Sequence, residues 1–422
     1  MRTERLLRGD LINRLLESFE KLSKEALIAG VLVAISVVVF HFLLANFYMP
    51  CNPYGDEAWY FYISKKVLWD WDPHLEYLPP IRWAFMLLFH PFTINIWTFR
   101  FSHIAISSFS LLLSILIAWR RGLPALVLAL AAFLDPMYLF YETHVMTSVV
   151  AGALGALSVA LAMRGRFALS LIVSILSVGC WEGMAFLYLG MTLLFYRDKR
   201  YLLFAIPAAL AIATAYDNVL FHSRLPGWSK GPIDLRTLAT LITPLGLLLF
   251  VYKAYRKEIG DLLVYFALPL GLIANNFVNG TRIELWYQVP AHLIYAVGLA
   301  SIVDEGKAWK ALALITFIFF AYVNVPALKQ AVFNRGEPNC CLYEVKHFIQ
   351  IERSHLILYK PFWAYSSYPF GDVPYVVCWD PNCLMNAING FGRGYVLSFQ
   401  ELQFPGLKLI YRKGCLLYAF KR

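Results

Sequence analysis

Four carboxylates stand at the margins of long apolar segments: Asp56, Glu57, Glu142 and Glu182. The first two are adjacent and follow a proline-glycine turn in the segment 51–62, Glu142 ends an apolar run, and Glu182 interrupts one. An ionisable side chain near the core of a bilayer costs roughly 3 kcal/mol, so one that is kept there marks a candidate functional site. Carboxylates at such a site are suited to general acid and base catalysis.

Cationic and hydrogen-bonding side chains form a second group near the same segments. They are His144, His222, Arg224, Lys230, Arg282 and Tyr287. The guanidinium fork of an arginine such as Arg282 fits a phosphate, which lysine matches only as a point charge. This group is compatible with an anionic substrate. The alternative for Arg282, at the mouth of an apolar run, is an interface anchor that extends its charge towards water.

The carboxylates have structural interpretations as well. The acidic pair at 56–57 fits a hydrated interfacial loop beside the usual belt of Trp and Tyr residues. Glu142 and His144 fit the water boundary at the end of a span, and Glu182 fits a cap at a helix break. A buried carboxylate needs either a proton or a partner, which favours function at Glu182. The sequence leaves both interpretations open.

The elements that must position these residues are membrane-spanning helices. Of 422 residues, 59% are apolar and 15% are charged, against about 25% charged in an ordinary soluble domain. This composition excludes a disordered chain, a fibrous repeat and most soluble enzymes. The net charge of +10 would suit nucleic acid or an anionic membrane surface, and apolar runs of about 20 residues decide for the membrane. The runs lie at 26–48, 97–119, 123–140, 145–163, 167–196, 201–221, 236–254, 261–277, 287–303 and 309–326.

Two segments decide how often the chain crosses the bilayer. The segment 81–94 is short for a crossing and carries Arg82 and His90, which favours a helix in the interface. The run 167–196 is interrupted around Glu182, so it can be one overlong helix or two short helices that meet at the break. The positive-inside rule favours two, and therefore about eleven spans with the N-terminus in the cytoplasm and the C-terminus outside. Cytoplasmic loops then hold Arg120, Arg121, Arg164, Arg166, Arg197, Lys199, Arg200, Lys253, Arg256, Lys257, Lys307 and Lys310.

The predicted organisation has three parts. Residues 1–25 form a basic cytoplasmic N-terminus, and 26–330 form the transmembrane domain, whose first exported loop at 49–96 carries interfacial helices. Residues 331–422 form a small exported α/β domain, with an amphipathic stretch at 343–352 and period-2 strands. The strands are expected at 355–359, 375–379 and 394–399, followed by a hairpin that turns at 412–414. Six of the seven cysteines fall outside in this topology, where disulfides are favoured.

An ordered set of short motifs resembles the integral-membrane glycosyltransferases of the GT-C fold, in particular the branch of protein O-mannosyltransferases and aminoarabinose transferases. The set consists of Gly55-Asp56-Glu57-Ala58-Trp59-Tyr60 after the first span, Pro79-Pro80, Arg100, Glu142, Glu182-Gly183, and Arg282 with Tyr287 and Pro290. The family commonly has His-Pro-Pro-Leu where this chain has Leu78-Pro79-Pro80-Ile81. The Trp-Trp-Asp-Tyr-Gly motif of oligosaccharyltransferases is absent from the sequence, which favours transfer of a single sugar.

The resemblance implies transfer of a monosaccharide from a polyprenyl (dolichyl) phosphate donor to a protein, glycan or lipid acceptor at the extracytoplasmic face, with inversion at the anomeric carbon. Asp56 is then the general base, with Glu57 beside it as the second candidate. Arg282 holds the departing phosphate, and Tyr287 donates a hydrogen bond. The remaining roles are shared: Arg224, Lys230 and His222 assist at the phosphate side, and Glu142, His144 and Glu182 position sugar hydroxyls or a divalent cation.

Two other classes of function stay open at this point. A transporter or flippase for lipid-linked sugars would also need an apolar groove and a polar cavity, although internal symmetry between two halves, which would favour it, is not visible. A non-catalytic membrane subunit would present the C-terminal domain to a partner, but it would not need four ionisable sites on one side of the membrane. No nucleic-acid partner is expected and no residue is assigned as a metal ligand, while a divalent cation as cofactor stays an open alternative.

Overall fold

The computed structural model describes residues 24–48, 55–66, 82–118, 132–133, 135–222, 231–280, 282–300, 307–333, 345, 348–349, 355–359, 375–378, 380–413 and 415–421. The described residues fall into two compact units. One lies within 1–41, 72–88 and 101–334, and the other lies within 42–71, 89–100 and 335–422.

The first unit is mainly helical, and the segments 42–71 and 89–100 of the second unit also contain helices. In chain order they are α1 Lys24–Tyr48, α2 Gly55–Lys66, α3 Trp83–Phe89, α4 Ile96–Ala118, α5 Pro136–Glu142, α6 Thr147–Met163, α7 Phe167–Cys180, α8 Ala185–Thr192, α9 Ala205–His222, α10 Leu235–Tyr255, α11 Ile259–Asn279, α12 Leu285–Ala300 and α13 Lys307–Phe333. Short 3-10 turns extend α3 at His90–Phe92 and flank α8 at Glu182–Met184 and Leu193–Tyr196.

Several of these helices are long and apolar enough to cross a membrane. Among the described residues they are Ile96–Ala118, Leu235–Tyr255 and Ile259–Val278, with the bent pair α5 and α6 as a fourth if it counts as one span. The chain is therefore a polytopic helical membrane protein, as its composition predicts. Eleven crossings stay a prediction. The helix α3 with its 3-10 extension is too short to span a bilayer, in line with the interfacial helix expected there.

The run 167–196 is broken where the sequence predicts. α7 ends at Cys180, and Trp181 is extended, with φ −157° and ψ 120°. The chain then resumes with the 3-10 turn that begins at Glu182 and with α8. The prediction of two short helices meeting at a break is confirmed, and a double crossing of the membrane there stays a prediction.

Small residues let the helices of the first unit approach closely. A Cβ at Gly152 of α6 would lie 2.7 Å from the Cα of Pro290 in α12, so the two backbones are in contact at this point. Between α6 and α7, the Ser158 and Ser170 hydroxyls lie 2.9 Å apart and Ser177 donates to the Ala151 carbonyl at 2.8 Å. Close contacts of this kind, with interhelical hydrogen bonds, are what holds helices together in lipid.

The C-terminal residues form a five-stranded mixed sheet. Its strands are β1 His355–Tyr359, β2 Tyr375–Cys378, β3 Arg393–Ser398, β4 Leu407–Arg412 and β5 Leu416–Lys421, in the order β2-β1-β3-β5-β4. β1 is parallel to β2 and β3, and the remaining pairs are antiparallel. These strands lie where the period-2 pattern predicts them. Helix α14, Pro381–Phe391, connects β2 to β3 and is not part of that prediction.

Both faces of this sheet are covered. Leu356 and Leu358 of β1 pack with Val345 on one face, whereas Ile357 and Tyr359 pack with Leu384 of α14 on the other. This alternation follows from the two-residue period of a strand. A disulfide joins Cys378 to Cys383, and Cys415 is also disulfide-bonded. The export of this part of the chain stays a prediction.

Candidate active site

The loops of the helical unit meet in two separate groups. In the first, Arg164 donates from Nε to the Ile117 carbonyl at 2.7 Å and from Nη2 to the Ala118 carbonyl at 2.6 Å, at the C-terminal end of α4. The Arg200 guanidinium lies 4.4 Å from the centroid of the Phe167 ring. These contacts place the C-terminal end of α4 and the basic loops that follow α6 and α8 at one end of the unit.

The second group lies at the opposite end. The Ser148 hydroxyl donates to the Trp286 carbonyl at 2.8 Å, and the Trp181 and Tyr287 rings stack with centroids 5.4 Å apart. At 1.5 Å per residue, α6 separates Ser148 from Arg164 by about 25 Å. The basic loops thus lie at the end of the unit opposite to Ser148, Trp181 and Trp286, as the distribution of basic residues predicts. Which end faces the cytoplasm stays a prediction.

Glu57 is held by a buried arginine within the second unit. Arg100 donates from Nε to Glu57 Oε1 at 2.7 Å and from Nη2 to Oε2 at 3.0 Å. Its Nη1 donates to Asn46 Oδ1 at 3.1 Å. The exposed fractions are 1% for Arg100 and 0% for Glu57. Two parallel bonds of this kind fix the orientation of both planar groups, so the first turn of α2 is anchored at Glu57.

Asp56 is the second residue of the same helix. Its backbone therefore lies in the turn that the Glu57 pair anchors, while its side chain lies outside the described residues. The assignment of Asp56 as general base stays a prediction.

Glu142 is the centre of a buried polar cluster. Its Oε1 accepts from Ser107 at 2.6 Å, from Ser108 at 2.8 Å and from the Tyr138 hydroxyl, and its Oε2 is bonded to His41 Nδ1. Glu142 has no exposed surface. A buried carboxylate is tolerated when its acceptor capacity is filled in this way. The cluster ties α1, α4 and α5 together.

His144 makes local contacts just beyond the end of α5. Its Nδ1 is bonded to the Phe140 carbonyl, and its ring stacks on the Phe140 ring with centroids 4.1 Å apart. The side chain is 4% exposed. The structure therefore places His144 next to Glu142 in the chain but among different partners.

Glu182 lies at the helix break together with two residues from other segments. Its Oε1 is 3.6 Å from Arg82 Nη2, and Arg82 also donates to the Thr147 hydroxyl. The backbones of Arg82 and Val145 have φ of 61° and 54°, a left-handed conformation that costs non-glycine residues of order 1–3 kcal/mol and clusters at functional sites. The second oxygen of Glu182, Oε2, is buried and has no hydrogen-bond partner among the described residues.

Aromatic rings flank this break. The Trp181 and Tyr287 rings are nearly parallel, at 9°, and Trp286 meets the Tyr141 ring edge to face at 6.0 Å. A Cβ at Gly183 would lie 2.3 Å from Trp181 Cζ2, so only glycine lets the indole fold back over the chain here. Glycine at position 183 is therefore a steric requirement of the Trp181 position.

Gln288 is a second buried polar group at this end. It follows Tyr287 in α12 and has no exposed surface. Neither its Oε1 nor its Nε2 has a hydrogen-bond partner within the described part of the chain. Buried amides are normally paired, so an unmet donor and acceptor at one position call for an explanation.

Arg282 is exposed and lies beside the segment that precedes α10 and begins at Gly231. A Cβ at Gly231 would lie 3.9 Å from Arg282 Cδ, and Gly231 is fixed by its N–H bond to the Gly280 carbonyl at 3.2 Å. Nearby, hydrogen bonds from Thr237 lower the pKa of Asp234, with Arg282 a smaller contributor. Arg282 has no salt bridge within the residues described.

The remaining predicted site residues can be placed only in part. Lys230 and Arg224 lie outside the described residues, and Lys230 directly precedes Gly231, which lies against Arg282. His222 is the last residue of α9, and its side chain lies outside the described part. Among the described residues no group of three or more His, Cys, Asp or Glu side chains is arranged to hold a metal ion.

Sequence reasoning did not assign a site role to Arg82, His41 or Gln288. His41 stands in the first apolar run, so its ionisable ring was a usable signal for a buried polar cluster. Arg82 was visible only as a charge in an interfacial segment, since its link to Glu182 depends on how separate helices pack. Gln288 is uncharged and gave no signal.

Comparison with known proteins agrees with this architecture. No family model matches the sequence, and no curated protein matches it. Among solved structures, the chain is similar to ArnT from Cupriavidus metallidurans in the apo state, with a TM-score of 0.58 and 12% sequence identity. The likeness covers 93% of this chain and 97% of that chain. The chain therefore has the GT-C fold that its motifs predict, the fold of ArnT.

Proposed function

We propose that the protein is a glycosyltransferase that moves a monosaccharide from a polyprenyl phosphate (dolichyl phosphate) donor to a protein, glycan or lipid acceptor at the extracytoplasmic face, with inversion. The observation that carries this proposal is the fold shared with ArnT, an aminoarabinose transferase, over 93% of the chain. The reaction needs a base for the acceptor hydroxyl, cations for the leaving phosphate and polar groups for the sugar.

Sugar binding is assigned to the break around Glu182. Glu182 Oε2 and the Gln288 amide are buried polar groups without partners among the described residues. Sugar hydroxyls both donate and accept, so they can meet a carboxylate oxygen and an amide together. The Trp181–Tyr287 stack links the two residues, because Trp181 precedes Glu182 and Tyr287 precedes Gln288. Arg82 positions Glu182.

Phosphate binding is assigned to Arg282. Arg282 is exposed and lies against Gly231, the residue that directly follows Lys230. Lys230, Arg224 and His222 complete the cationic group, and Tyr287 is a hydrogen-bond donor to the phosphate. Donors of this kind stabilise the charge that grows as the glycosidic bond breaks.

Asp56 is the proposed base that accepts the proton from the attacking hydroxyl. Both oxygens of Glu57 are engaged by Arg100, so Glu57 could take a proton only by giving up that pair. Glu57 is therefore assigned to anchoring α2, and Asp56 is the carboxylate assigned to accept the proton.

Glu142 and His144 are assigned to positioning. The Glu142 carboxylate has four side-chain partners inside the protein, three at Oε1 and one at Oε2, so it is assigned to helix packing rather than to a sugar hydroxyl. Its role in the proposed site is to hold α1, α4 and α5 in register. His144 follows in the turn after α5, on the Phe140 ring.

The test is direct incubation of purified protein with a panel of polyprenyl phosphates that carry different single sugars. Release of the polyprenyl phosphate, or appearance of the sugar on an acceptor, from at least one donor is expected. Movement of an intact donor across a vesicle bilayer without cleavage would instead indicate a transporter. Neither cleavage nor transfer with any donor would refute the proposal.

A further inference from the structure

Helix α10 is interrupted at a proline. Thr243 has φ 56° and ψ 158°, outside the helical region, and Pro244 follows it. In a regular helix the N–H of residue 244 would bond the carbonyl of residue 240, but proline has no N–H, and it disfavours helical geometry in the residue before it. The Thr243 hydroxyl accepts from the Gly246 N–H at 3.2 Å, which caps the second half of the helix.

Side chains of α12 supply donors to the first half of the broken helix. His292 Nε2 lies 2.7 Å from the Thr240 carbonyl oxygen, the group that Pro244 cannot reach. The Tyr295 hydroxyl donates to the Leu241 carbonyl at 3.3 Å. His292 and Tyr295 are three residues apart and so lie on one helical face. A carbonyl only accepts, and therefore His292 Nε2 carries a proton.

The other ring nitrogen of His292 faces a carboxylate. Nδ1 lies 2.8 Å from Asp135 Oδ2, while Asp135 Oδ1 accepts from the N–H groups of Met137 and Tyr138 at 2.8 and 3.1 Å. Asp135 is the N-cap of α5, a position where backbone donors and the helix dipole favour the ionised form. An ionised Asp135 needs a proton on Nδ1 as well.

We propose that His292 is a doubly protonated, positively charged positioning residue that joins three helices. Its imidazolium binds the N-cap carboxylate of α5 and the carbonyl that Pro244 leaves free in α10. The side chains are 7% and 6% exposed for His292 and Asp135. A charge in such a place persists only when paired, and here it has a partner on each side.

This bridge bears on the proposed transferase site, and in that respect it rests on the proposed function. Tyr287 lies five residues before His292 in α12, and Arg282 lies just ahead of that helix. Asp135 begins the helix that ends at Glu142. The bridge therefore fixes the register of the helix that follows the phosphate-binding arginine against the helix that carries the Glu142 cluster.

The protonation state is measured by nitrogen NMR of protein labelled with ¹⁵N-histidine in lipid nanodiscs at neutral pH. The chain has nine histidines, and the His292 signals are those that disappear in His292→Gln. Two protonated ring nitrogens are expected in the wild type. In Asp135→Asn, which keeps an N-cap acceptor but not the charge, one nitrogen should lose its proton. A neutral His292 ring in the wild type overturns the proposal.

A thermal-unfolding cycle tests the link to Pro244 without need of that assignment. Pro244→Ala restores an N–H that can bond the Thr240 carbonyl. His292→Leu should therefore lower the Tm by about 3 °C less in the Pro244→Ala background than in the wild type. An equal loss in both backgrounds overturns the assigned role of the Thr240 carbonyl.

Turnover gives the functional arm of the test. In folded Asp135→Asn, we expect the KM for the lipid-linked donor to rise about tenfold, because a shifted α12 displaces Arg282 and Tyr287. An unchanged KM in that folded variant overturns the positioning role. If no donor is cleaved by the wild type, the proposed function fails, while the NMR and thermal results still decide whether the bridge exists.

Discussion

Glu57 and Arg100 form a buried ion pair in which both carboxylate oxygens accept from one guanidinium, at 2.7 and 3.0 Å. The pair joins the first turn of α2 to the beginning of α4, and Asn46 of α1 accepts a third bond from Arg100. Because the pair is shielded from water, removal of either charge leaves the other buried without compensation. Within the acidic pair at 56–57, Glu57 is therefore the anchor of α2, and the role of Asp56 as general base stays a prediction.

Glu57→Gln should lower the free energy of unfolding by about 3 kcal/mol, because Arg100 would keep a buried charge without its counter-ion. The measurement is denaturant unfolding in detergent. Glu401→Gln is the matched control, because Glu401 pairs with Arg412 on the surface, where both side chains are more than half exposed. That control should cost less than about 1 kcal/mol. Equal costs for the two variants would contradict the anchoring role of Glu57.

Gln288→Leu should stabilise the protein and weaken donor binding. The Gln288 amide has no hydrogen-bond partner among the described residues, so its removal relieves an unfavourable burial and the free energy of unfolding should rise by about 1 kcal/mol. If the amide binds sugar hydroxyls, the KM for the donor should rise about tenfold. Gln288→Asn, which keeps the amide, should have a smaller effect on KM. A destabilised Gln288→Leu with normal KM would show that the amide has a structural partner instead.

Arg282→Ala should raise the KM for the lipid-linked donor by roughly 10- to 100-fold, the value of a charge-assisted bond to phosphate. Steady-state kinetics with varied donor give this number. Arg256→Ala is the control, since Arg256 is exposed in the loop that follows α10, at the end with the basic loops, and is also partly paired with an acid. A normal donor KM in Arg282→Ala would remove Arg282 from the phosphate site.

The topology is tested by adding one cysteine at a time to the protein and labelling with a membrane-impermeant maleimide on intact cells. Lys230→Cys should label from outside, and Lys199→Cys should label only after the membrane is opened, because the basic loops gather at the other end of the unit. The parent protein, whose native cysteines are counted in the same way, gives the background. Labelling of position 199 from outside would overturn the double crossing at the Glu182 break.

The sequence was most informative where a polar residue interrupts an apolar pattern. The break at Trp181 was predictable because Trp-Glu-Gly cannot continue an apolar helix without cost, and the strands of the C-terminal sheet followed from their period-2 pattern. The strong break in α10 was missed although Pro244 stands in the apolar run. Helix α14 was missed as well, although Asp380 and Pro381 form a cap signal before it.

The partners of the site residues were not predictable, for a physical reason. Arg82 meets Glu182 only because α3 packs beside the end of α7, where a Cβ at Gly179 would lie 2.5 Å from Ala84 Cβ. His41 and Glu142 are distant in the chain and meet through helix packing. Spacing along a sequence reports the face of one helix, and contacts between helices depend on shapes that no single segment contains.

Transfer by Asp56→Asn tests the central claim most directly. With a cleavable polyprenyl phosphate sugar and an acceptor, turnover should fall by at least about 100-fold, the contribution of a general base. Donor binding, measured with a non-hydrolysable analogue, should stay within about twofold of the wild type, since the amide keeps the shape of the carboxylate. Unchanged turnover in Asp56→Asn would contradict the proposed mechanism.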